Sequence, residues 1–432
     1  TLSALLQNNQ YAPLFFVDDD IKIQNLNING LKILSMENAH AQLKNLREFL
    51  VVIAIPSVSR SRKRALIEAF SEFDCEVQLV PGLDDLLGGK IEFAELKKVT
   101  ADDLLGRDPV TPDEALMGSF LNGNNILVTG AGGSIGSELC RQILKHKPQK
   151  LVLLDVSEPS LYQIDEELRL LNTKVGIYAV LCSIQHEKRL LKTLQSFEID
   201  IVFHAAAYKH VPLLEQNVVE AMRNNVFGTR VLVDQAIQAG VKNFVLVSTD
   251  KAVRPTNYMG ASKRLAEMIC QARASSGAGT IFSMVRFGNV LGSSGSVIPK
   301  FEAQIQAGGP VTVTHEEITR FFMSIPEAAQ LVIQAGAMSK GGEVYVLDMG
   351  EAVKIIDLAR NLVRLRGLVP FSSRDEEPGD IEIRVTGLRP GEKLYEELLI
   401  GDDAQRTGHP RIRKAQEAFL DEEQLGPVLG KL

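Results

Sequence analysis

The sequence predicts an α/β fold in which helices cover both faces of a doubly wound parallel sheet. Three observations predict it. With 432 residues, of which 45% are hydrophobic, the chain can bury a large core. From residue 125 onward, short apolar segments alternate with helical patterns, and the first apolar segment runs directly into the glycine-rich turn TGAGGSIG. The segments that we interpret as strands of the sheet are 126–128, 151–154, 201–203, 244–247 and 282–285.

The first hundred residues are predicted to form a separate α/β module. Residues 14–17, 51–55 and 76–80 have the pattern of strands, and residues 61–73 have helical periodicity. Since no glycine-rich turn follows these strands, we expect a structural or regulatory module, Rossmann-like but without a cofactor motif. A connector is predicted at residues 101–121, because the polar stretch 102–113 contains glycine and prolines.

The glycine-rich turn predicts a dinucleotide-binding Rossmann domain at residues 122–290. A strand leads into Gly130, Gly133 and Gly136, and a helix is expected to begin near Ser134. Glycines allow the backbone to approach a pyrophosphate, and the free N–H groups at a helix N-terminus bind it. A purely structural turn with three glycines remains an alternative, so the next strand has to support the interpretation.

That next strand ends in Asp155, which is the position where a carboxylate binds the ribose hydroxyls of NAD. The residues that follow, VSE, include no arginine that could bind the 2′-phosphate of NADP. NAD is therefore the predicted cofactor. A solvated carboxylate at the end of a strand is the alternative.

Polar side chains also follow the fourth predicted strand. Thr249, Asp250 and Lys251 come directly after it, and Lys263 follows within the segment MGASK. Ligands of an open α/β sheet bind beyond the carboxyl ends of its strands, so we expect these side chains to line the cleft. The alternative is an exposed turn that caps a helix.

Six motifs together resemble a known family. They are TGAGGSIG, HAAAYKH (204–210), STDKA (248–252), MGASK (259–263), RFGNVLGSSGSVIP (286–299) and LRPGEK (388–393). The sequence resembles the bacterial polysaccharide-biosynthesis nucleotide-sugar dehydratases, within the extended short-chain dehydrogenases. It is most similar to the large, membrane-anchored UDP-N-acetylglucosamine 4,6-dehydratases. The resemblance covers about residues 104–400, and residues 291–432 are then expected to be mainly a nucleotide-sugar-binding region with some segments that return to the sheet.

One position departs from most short-chain dehydrogenases. Those enzymes carry a tyrosine four residues before the lysine that corresponds to Lys263, and Met259 stands there in this chain. A thioether cannot act as a base. The large dehydratases that the chain resembles share this replacement, and the neighbouring Tyr258 is the alternative phenol.

The resemblance implies NAD-dependent 4,6-dehydration of a UDP-N-acetylhexosamine: oxidation at C4, loss of water across C5 and C6, and return of hydride to C6. In this scheme Lys251 removes the C5 proton, Asp250 protonates the departing hydroxyl and Thr249 binds the C4 oxygen. Lys263 binds the nicotinamide ribose. The acceptor of the O4 proton stays open between Asp250 and a relay through Thr249.

The resemblance also implies the remaining binding residues. Residues expected at the cofactor are Gly130, Gly133, Ser134, Ile135, Gly136, Asp155, Ser183, Ile184, Ala205, Ala206, Ala207, Asn225 and Lys263. Residues expected at the nucleotide sugar are Lys209, His210, Asn289, Ser296, Val297, Val311, Thr312, Val313, Arg320 and Arg389. For His210 a packed histidine is an equal alternative, and either arginine could instead pair with a surface carboxylate.

Composition restricts the partners. A net charge of −7 and a pI near 5.7 argue against nucleic-acid binding, which needs a basic face. The four cysteines form no CxxC pair, so we expect no disulfide framework and no metal site, and a reducing, cytoplasmic setting. Apolar runs are shorter than the roughly 18 residues of a membrane helix.

The chain begins at Thr1 without a methionine, and we expect further sequence upstream. The resemblance implies that this upstream part contains membrane helices, which would hold the protein at the cytoplasmic face of the bacterial inner membrane. A homo-oligomer is expected. The competing functions are a nucleotide-sugar epimerase of the same fold and a non-catalytic NAD-binding scaffold.

Overall fold

The structure is a computed structural model. It describes residues 12–44, 46, 49–55, 58–70, 73, 75–80, 96–99, 103, 110–171, 174–375, 378–398 and 404–432.

The described elements are numbered here in chain order. The strands are β1 Phe16–Val17, β2 Asn27–Ile28, β3 Leu31–Leu34, β4 Leu50–Ile53, β5 Glu76–Leu79, β6 Lys97–Lys98, β7 Asn125–Thr129, β8 Lys150–Asp155, β9 Gly176–Leu181, β10 Ile201–His204, β11 Asn243–Val247, β12 Ile281–Arg286, β13 Asn289–Val290, β14 Val311–Val313, β15 Thr319–Arg320, β16 Phe322–Met323, β17 Glu343–Leu347, β18 Val353–Lys354, β19 Pro370–Phe371, β20 Ile381–Val385, β21 Gln405–Arg406 and β22 Ile412–Ala415.

The α-helices are α1 Met36–Leu43, α2 Arg60–Ala69, α3 Glu114–Leu121, α4 Ser134–Lys145, α5 Glu158–Leu170, α6 Glu187–Ser196, α7 Val211–Gln216, α8 Val218–Ala221, α9 Thr229–Gln238, α10 Tyr258–Ser275, α11 Val297–Gln306, α12 Ile325–Met338, α13 Ile355–Arg364 and α14 Glu422–Lys431. A π-helical turn spans Met222–Gly228, and a 3-10 turn spans Asp250–Ala252.

The chain divides into two compact units, each assembled from separate stretches of sequence. One unit comprises residues 1–108, 301–313 and 356–385, and the other comprises residues 109–300, 314–355 and 386–432. The segment 291–432 therefore contributes to both units. The predicted domain boundaries remain predictions.

The larger unit is built on a sheet with the strand order β21-β22-β17-β12-β11-β10-β7-β8-β9. Strands β7 to β12 and β17 are parallel, whereas β22 and β21 are added antiparallel at one edge. Counted from β7, the first six parallel strands have the order 3-2-1-4-5-6 of a doubly wound dinucleotide-binding sheet, and β17 adds a seventh beside β12. The predicted fold class is confirmed. The connections diverge between β7 and β10, and a ligand is expected beyond the carboxyl ends of these two strands.

Alternate residues along each strand build two cores, one on each face of the sheet. Ile126, Leu151 and Phe203 lie in the first core, and their chain neighbours Leu127 and Val152 lie in the second. Strands that are buried on both faces consist of continuous apolar segments, so their positions could be predicted from the apolar runs in the sequence.

The stretch predicted as a connector contains a helix near its end. Asp113 caps the N-terminus of α3, and Met117 and Leu121 of that helix are buried in the core of the larger unit. Their spacing of four residues places both on one helix face. Residues 101–102 and 104–109 of the predicted connector lie outside the described residues.

The smaller unit contains three described sheets. Strands β4 and β5 are parallel and β6 pairs antiparallel with β5; a second sheet has the order β1-β3-β2, and a third has the order β14-β20-β19. The N-terminal strands and helix begin or end within a few residues of their predicted bounds. Within the described part of the chain, no helix combines the length and the apolar character needed to cross a membrane.

Candidate active site

The glycine-rich turn after β7 has no room for side chains. Gly130 has a φ of +66°, and a Cβ there would lie 2.7 Å from the backbone nitrogen of Ala206. A Cβ on Gly136 would lie 1.9 Å from the carbonyl oxygen of Gly130. The turn therefore packs tightly against the residues that follow β10, at the point where the sheet connections diverge.

Helix α4 begins at this turn with free backbone donors. Gly133 precedes Ser134 as the N-cap, and no side chain caps the helix. The first N–H groups of a helix have no partner within it, and together with the helix dipole they form an anion site. Ile135 packs against the core and fixes the start of the helix in the sheet.

Asp155 at the end of β8 holds the turn in place. Its Oδ2 accepts a hydrogen bond of 2.9 Å from the backbone N–H of Gly132, and its Oδ1 accepts one of 2.8 Å from that of Ser157. Each carboxylate oxygen can accept a further hydrogen bond. Asp155 can therefore support the turn and bind ribose hydroxyls at the same time.

A buried histidine connects the two central strands. Thr229 donates to the carbonyl oxygen of Asn225 at 2.7 Å, so its oxygen accepts from Nε2 of His204 at 2.9 Å. Nδ1 of His204 then accepts from the Thr129 hydroxyl at 2.7 Å. Burial, together with the charge of Lys263, lowers the pKa of His204 to about 3, and the ring is neutral.

Asn225 lies in the π-helical turn and fixes the segment after β10. Its side chain exchanges two hydrogen bonds of 2.9 Å with the backbone of Tyr208 and donates to Ser262 at 3.0 Å. It thus links the segment 205–210 to helix α10. π-helical turns inside α-helical segments are frequent at functional sites.

The 3-10 turn after β11 carries the predicted reaction centre. Thr249 donates to Oδ1 of Asp250 at 2.8 Å, and Nζ of Lys251 donates to the same oxygen at 3.0 Å. Lys251 also donates to Oδ1 of Asn289 at 3.4 Å. Asp250 is fully buried, and among the described residues its Oδ2 has no hydrogen-bond partner. A buried oxygen without a partner is costly in a folded protein unless a ligand completes the site.

Helix α10 carries Lys263, which is buried next to the end of β11. Its Nζ donates to the carbonyl oxygen of Val247 at 2.6 Å. Burial lowers the pKa of Lys263 to about 8, although the carboxylate of Glu267 opposes the shift. Met259 is buried in a small apolar cluster with Leu214 and Ala221. Its thioether therefore serves packing, and the exposed Tyr258 ring lies at the start of the helix.

A buried network of charges lies next to the reaction centre and reaches it through Ser248, the residue before Thr249. Ser248 donates to Glu267 at 2.6 Å, and Arg286 forms hydrogen bonds of 2.5 to 2.8 Å with both Glu267 and Glu417. Arg264 lies 3.1 Å from Glu267. Two cations and two anions balance one another, which is the condition for burying such groups. The sequence analysis did not identify this network.

The predicted substrate segments meet near α4. The imidazole of His210 packs over Gly295, where a Cβ would lie 2.5 Å from the ring. The backbone N–H of Ser294 donates to Ser134 at 3.3 Å. Burial lowers the pKa of Lys209, and burial together with the charge of Lys209 lowers the pKa of His210. Among the described residues, the buried hydroxyl of Ser296 has no hydrogen-bond partner.

Other predicted binding residues occupy supporting positions. Ile184 is buried beneath Gly228 of the π-helical turn, and the Ser183 hydroxyl accepts from the backbone of Gln185. Ala205 to Ala207 are half-buried after β10, and Val297 begins α11. Strand β14, which contains Val311, Thr312 and Val313, pairs with β20 in the smaller unit.

The two predicted pyrophosphate ligands differ in their surroundings. Arg320 is buried and donates to the carbonyl oxygens of Thr319, Lys393 and Leu394 at 2.7 to 3.3 Å. Most of its donors are therefore occupied. Arg389 has a side chain that is 52% exposed and lies 3.2 Å from Glu392. Of the two, Arg389 is free to reach a ligand.

Sequence reasoning missed one carboxyl at the reaction centre. Glu396 is buried, and its Oε1 lies 3.7 Å from Nζ of Lys251 and 4.0 Å from Nε of Arg320. It follows the LRPGEK motif closely in sequence, but nothing in the pattern separates it from the exposed Glu397.

Comparison with known proteins identifies the family. Residues 126–417 match the family described as polysaccharide biosynthesis protein. The chain belongs to this family. The matched stretch includes the glycine-rich turn, the 3-10 turn and Glu396, and the resemblance predicted from the motifs is confirmed.

Relatives in this family differ in their described activities. The capsular polysaccharide biosynthesis protein CapD of Staphylococcus aureus is 48% identical over 91% of this chain, and the chain spans 65% of the length of that relative. A UDP-N-acetylglucosamine 4,6-dehydratase (inverting) of Campylobacter jejuni is 32% identical over 67% of this chain and 81% of its own length. A UDP-glucose 4-epimerase of Rickettsia akari is 34% identical over 65% of this chain and 79% of its own length. The family therefore comprises dehydratases and epimerases of nucleotide sugars.

A solved structure shows the same architecture. The X-ray structure of Pen from Bacillus thuringiensis superposes with a TM-score of 0.61 and 34% identity, covering 70% of this chain and 90% of that one.

Proposed function

We propose that the protein is an NAD-dependent 4,6-dehydratase of a UDP-N-acetylhexosamine, with UDP-N-acetylglucosamine as the expected substrate. One observation carries the proposal: a hydroxyl, a buried carboxyl and an amine, those of Thr249, Asp250 and Lys251, form one hydrogen-bonded cluster at the carboxyl end of β11. An acid next to a base is what elimination of water requires. The dehydratase from Campylobacter jejuni supports the choice of substrate.

The cofactor site fits NAD. Because the glycines of the turn have no side chains, a pyrophosphate can approach the backbone there. Helix α4 offers uncapped N–H groups to it. Asp155 retains acceptor capacity for ribose hydroxyls. NAD, when bound, accepts the hydride of C4 and returns it to C6. Lys263 lies on the same side of the sheet end and supplies a positive charge for the nicotinamide ribose.

The side chains can move every proton that the reaction requires. Oxidation at C4 makes the C5 proton acidic, and Lys251 removes it as a neutral amine and later returns a proton to C5. The hydrogen bond from Thr249 to Asp250 supports a route for the O4 proton, from O4 through Thr249 to Asp250. Asp250 then gives this proton to the C6 hydroxyl, which leaves as water. The proton lost from O4 is thus the proton gained by the water.

The first test of the proposal identifies the cofactor. Denaturing the purified protein is expected to release NAD, because Asp155 accepts from ribose hydroxyls and would repel a 2′-phosphate. Liquid chromatography with mass spectrometry distinguishes the two dinucleotides. Recovery of NADP alone would refute the cofactor assignment.

The similarity to the epimerase of Rickettsia akari supports epimerisation as the alternative function. A C4 epimerase returns hydride to C4 and loses no water, so it needs neither a base for the C5 proton nor an acid for the C6 hydroxyl. Incubation with UDP-N-acetylglucosamine separates the functions: a product lighter by one water supports the dehydratase, and an isomer of unchanged mass supports the epimerase. A non-catalytic scaffold gives neither product.

Substrate binding gives a further prediction. Arg389→Ala is expected to raise KM by roughly 10- to 100-fold with little change in kcat, because a charge-assisted contact to the pyrophosphate is worth about 1.5–3 kcal/mol. Initial rates over a range of UDP-sugar concentrations provide the measurement. Arg384→Ala is the matched control, since Arg384 is also an exposed arginine but pairs with Glu382 in the smaller unit. An unchanged KM in Arg389→Ala would remove this residue from the site.

A further inference from the structure

Lys251 lies between two buried carboxyls. Its Nζ is 3.0 Å from Oδ1 of Asp250, 3.4 Å from Oδ1 of Asn289 and 3.7 Å from Oε1 of Glu396. The side chains of the two carboxyl residues are 0% and 3% exposed. An ammonium group has three N–H donors; the oxygens of Asp250 and Asn289 accept two of them, and Oε1 of Glu396 lies at ion-pair distance. As long as the ammonium keeps its proton, however, it cannot remove a proton from C5.

The two carboxyls are not equivalent. Asp250 accepts hydrogen bonds from Thr249 and Lys251, so its Oδ1 has two donors. The cations nearest Glu396 lie at 3.7 and 4.0 Å, beyond hydrogen-bond distance. Its Oε2 is buried and has no hydrogen-bond partner among the described residues. A buried carboxylate without donors is unstable, and a proton relieves the cost.

The charges around Glu396 come from three segments. Lys251 and Asp250 face it from the 3-10 turn, Arg320 faces it from β15, and Lys393 lies on its own segment. Burial has the largest effect, and with the negative charge of Asp250 it raises the pKa of Glu396 despite the opposing cations. The geometry and the electrostatics thus agree that Glu396 can hold a proton.

We propose that Glu396 is a positioning residue that takes the proton of the Lys251 ammonium, so that the amine is neutral when it must attack the C5 proton. The inference rests on the proposed function, because it assumes that Lys251 is the C5 base. Glu396 acts through Lys251 and needs no contact with the sugar. The same pair can be reset in every turnover without net uptake or loss of protons.

The proton balance of this step closes. The ammonium of Lys251 and the carboxylate of Glu396 become an amine and a carboxylic acid. The amine then forms an N–H bond as the C5–H bond breaks, and the electron pair of that bond moves into the C4–C5 enolate. When hydride returns to C6, the ammonium gives a proton back to C5. Lys251 and Glu396 then again share one transferable proton, and the O4 proton has left with the water through Asp250.

Glu396→Gln tests the inference through a pH profile. Glutamine preserves the shape but cannot accept a proton, so Lys251 must lose its proton to solvent. We expect C5 exchange with deuterium to fall at least tenfold at neutral pH in this variant and to rise by about tenfold per pH unit until the lysine titrates. In the wild type, transfer within the pair makes the exchange nearly independent of pH over the same range. Mass spectrometry of the recovered sugar nucleotide measures the exchange.

Two further variants separate proton transfer from structural support. Glu397→Gln is the matched control, since the adjacent Glu397 is exposed and pairs with Arg254 and Lys393. It is expected to keep the wild-type profile. Glu396→Asp retains an acid, and we expect a slower exchange that is again independent of pH. If Glu396→Gln lowers exchange equally at every pH, the role is structural and the inference is wrong.

The outcomes distinguish this inference from the proposed function. Absorbance of the same samples measures the NADH that forms when substrate is added, and this NADH reports oxidation at C4. A wild type that forms neither NADH nor a dehydrated product with UDP-N-acetylhexosamines would overturn the proposed function and the inference with it. If the wild type dehydrates the substrate but the pH profile of C5 exchange in Glu396→Gln runs parallel to that of the wild type, the inference alone is overturned.

Discussion

Lys251→Met is expected to stop dehydration while oxidation at C4 continues. Methionine keeps most of the length of the side chain but removes the amine, so the C5 proton has no base, and the loss of general base catalysis lowers the rate by roughly 10²–10⁴. Nothing in the hydride transfer at C4 requires this amine. Single-turnover absorbance should therefore show that NADH forms and persists, whereas mass spectrometry should show no deuterium at C5.

A lysine next to the other end of β11 provides a matched control. Lys242 immediately precedes β11, at the opposite end from Lys251; its side chain is 68% exposed, and its Nζ lies 2.9 Å from Oδ1 of Asp200. Lys242→Met is expected to retain wild-type dehydration, since exposed pairs contribute about 0–1 kcal/mol. Exchange and dehydration at the wild-type rate in Lys251→Met would mean that Lys263 or Tyr258 is the base.

Arg286→Met is expected to cause the largest loss of stability. Arg286 is fully buried and satisfies both Glu267 and Glu417. Removing it leaves two buried carboxylates with Arg264 as their remaining cation, and breaking a buried pair in this way costs about 3–5 kcal/mol. Urea unfolding followed by circular dichroism measures the change. Arg223→Met, which breaks the exposed pair with Glu220, should cost less than about 1 kcal/mol.

The pH dependence of this loss has a definite sign. Burial opposes ionisation of Glu267, but the hydrogen bonds and charge of Arg286 outweigh it and lower the pKa of Glu267. The stabilising contribution is therefore present above the unfolded pKa of a glutamate, about 4.3, and is lost as the pH falls through the folded value. The difference between Arg286→Met and wild type should shrink on acidification. A difference that is constant from neutral to acid pH would show that the lost contacts are not electrostatic.

Local patterns explain which of the predicted site residues lie close together in the structure. Gly130, Gly136 and Asp155 belong to one strand–turn–helix–strand unit, in which the sequence spacing itself determines the geometry. The structure brings them together as the pattern indicated. A family motif placed Asn289 at the nucleotide sugar, and its proximity to Lys251 could not have been derived from spacing.

Long-range pairing limits what the sequence can predict. Glu396 and Glu397 are identical residues at adjacent positions, yet their side chains are 3% and 41% exposed. Which of them faces Lys251 depends on how the last segments fold back onto the sheet. The same holds for His204, whose bonds to Thr129 and Thr229 join residues that are distant in sequence.

The edge strands also determine when the chain can fold during synthesis. Strand β22 pairs with β17, and Glu417, just beyond β22, provides one of the two anions that surround Arg286 beneath the reaction centre. A ribosome produces β22 and Glu417 after the other described strands of this sheet, so until then the nascent sheet has an unpaired edge and an incompletely neutralised arginine. Domains usually fold as whole units during translation. The larger unit is therefore expected to complete its folding only after residues 412–417 have left the exit tunnel.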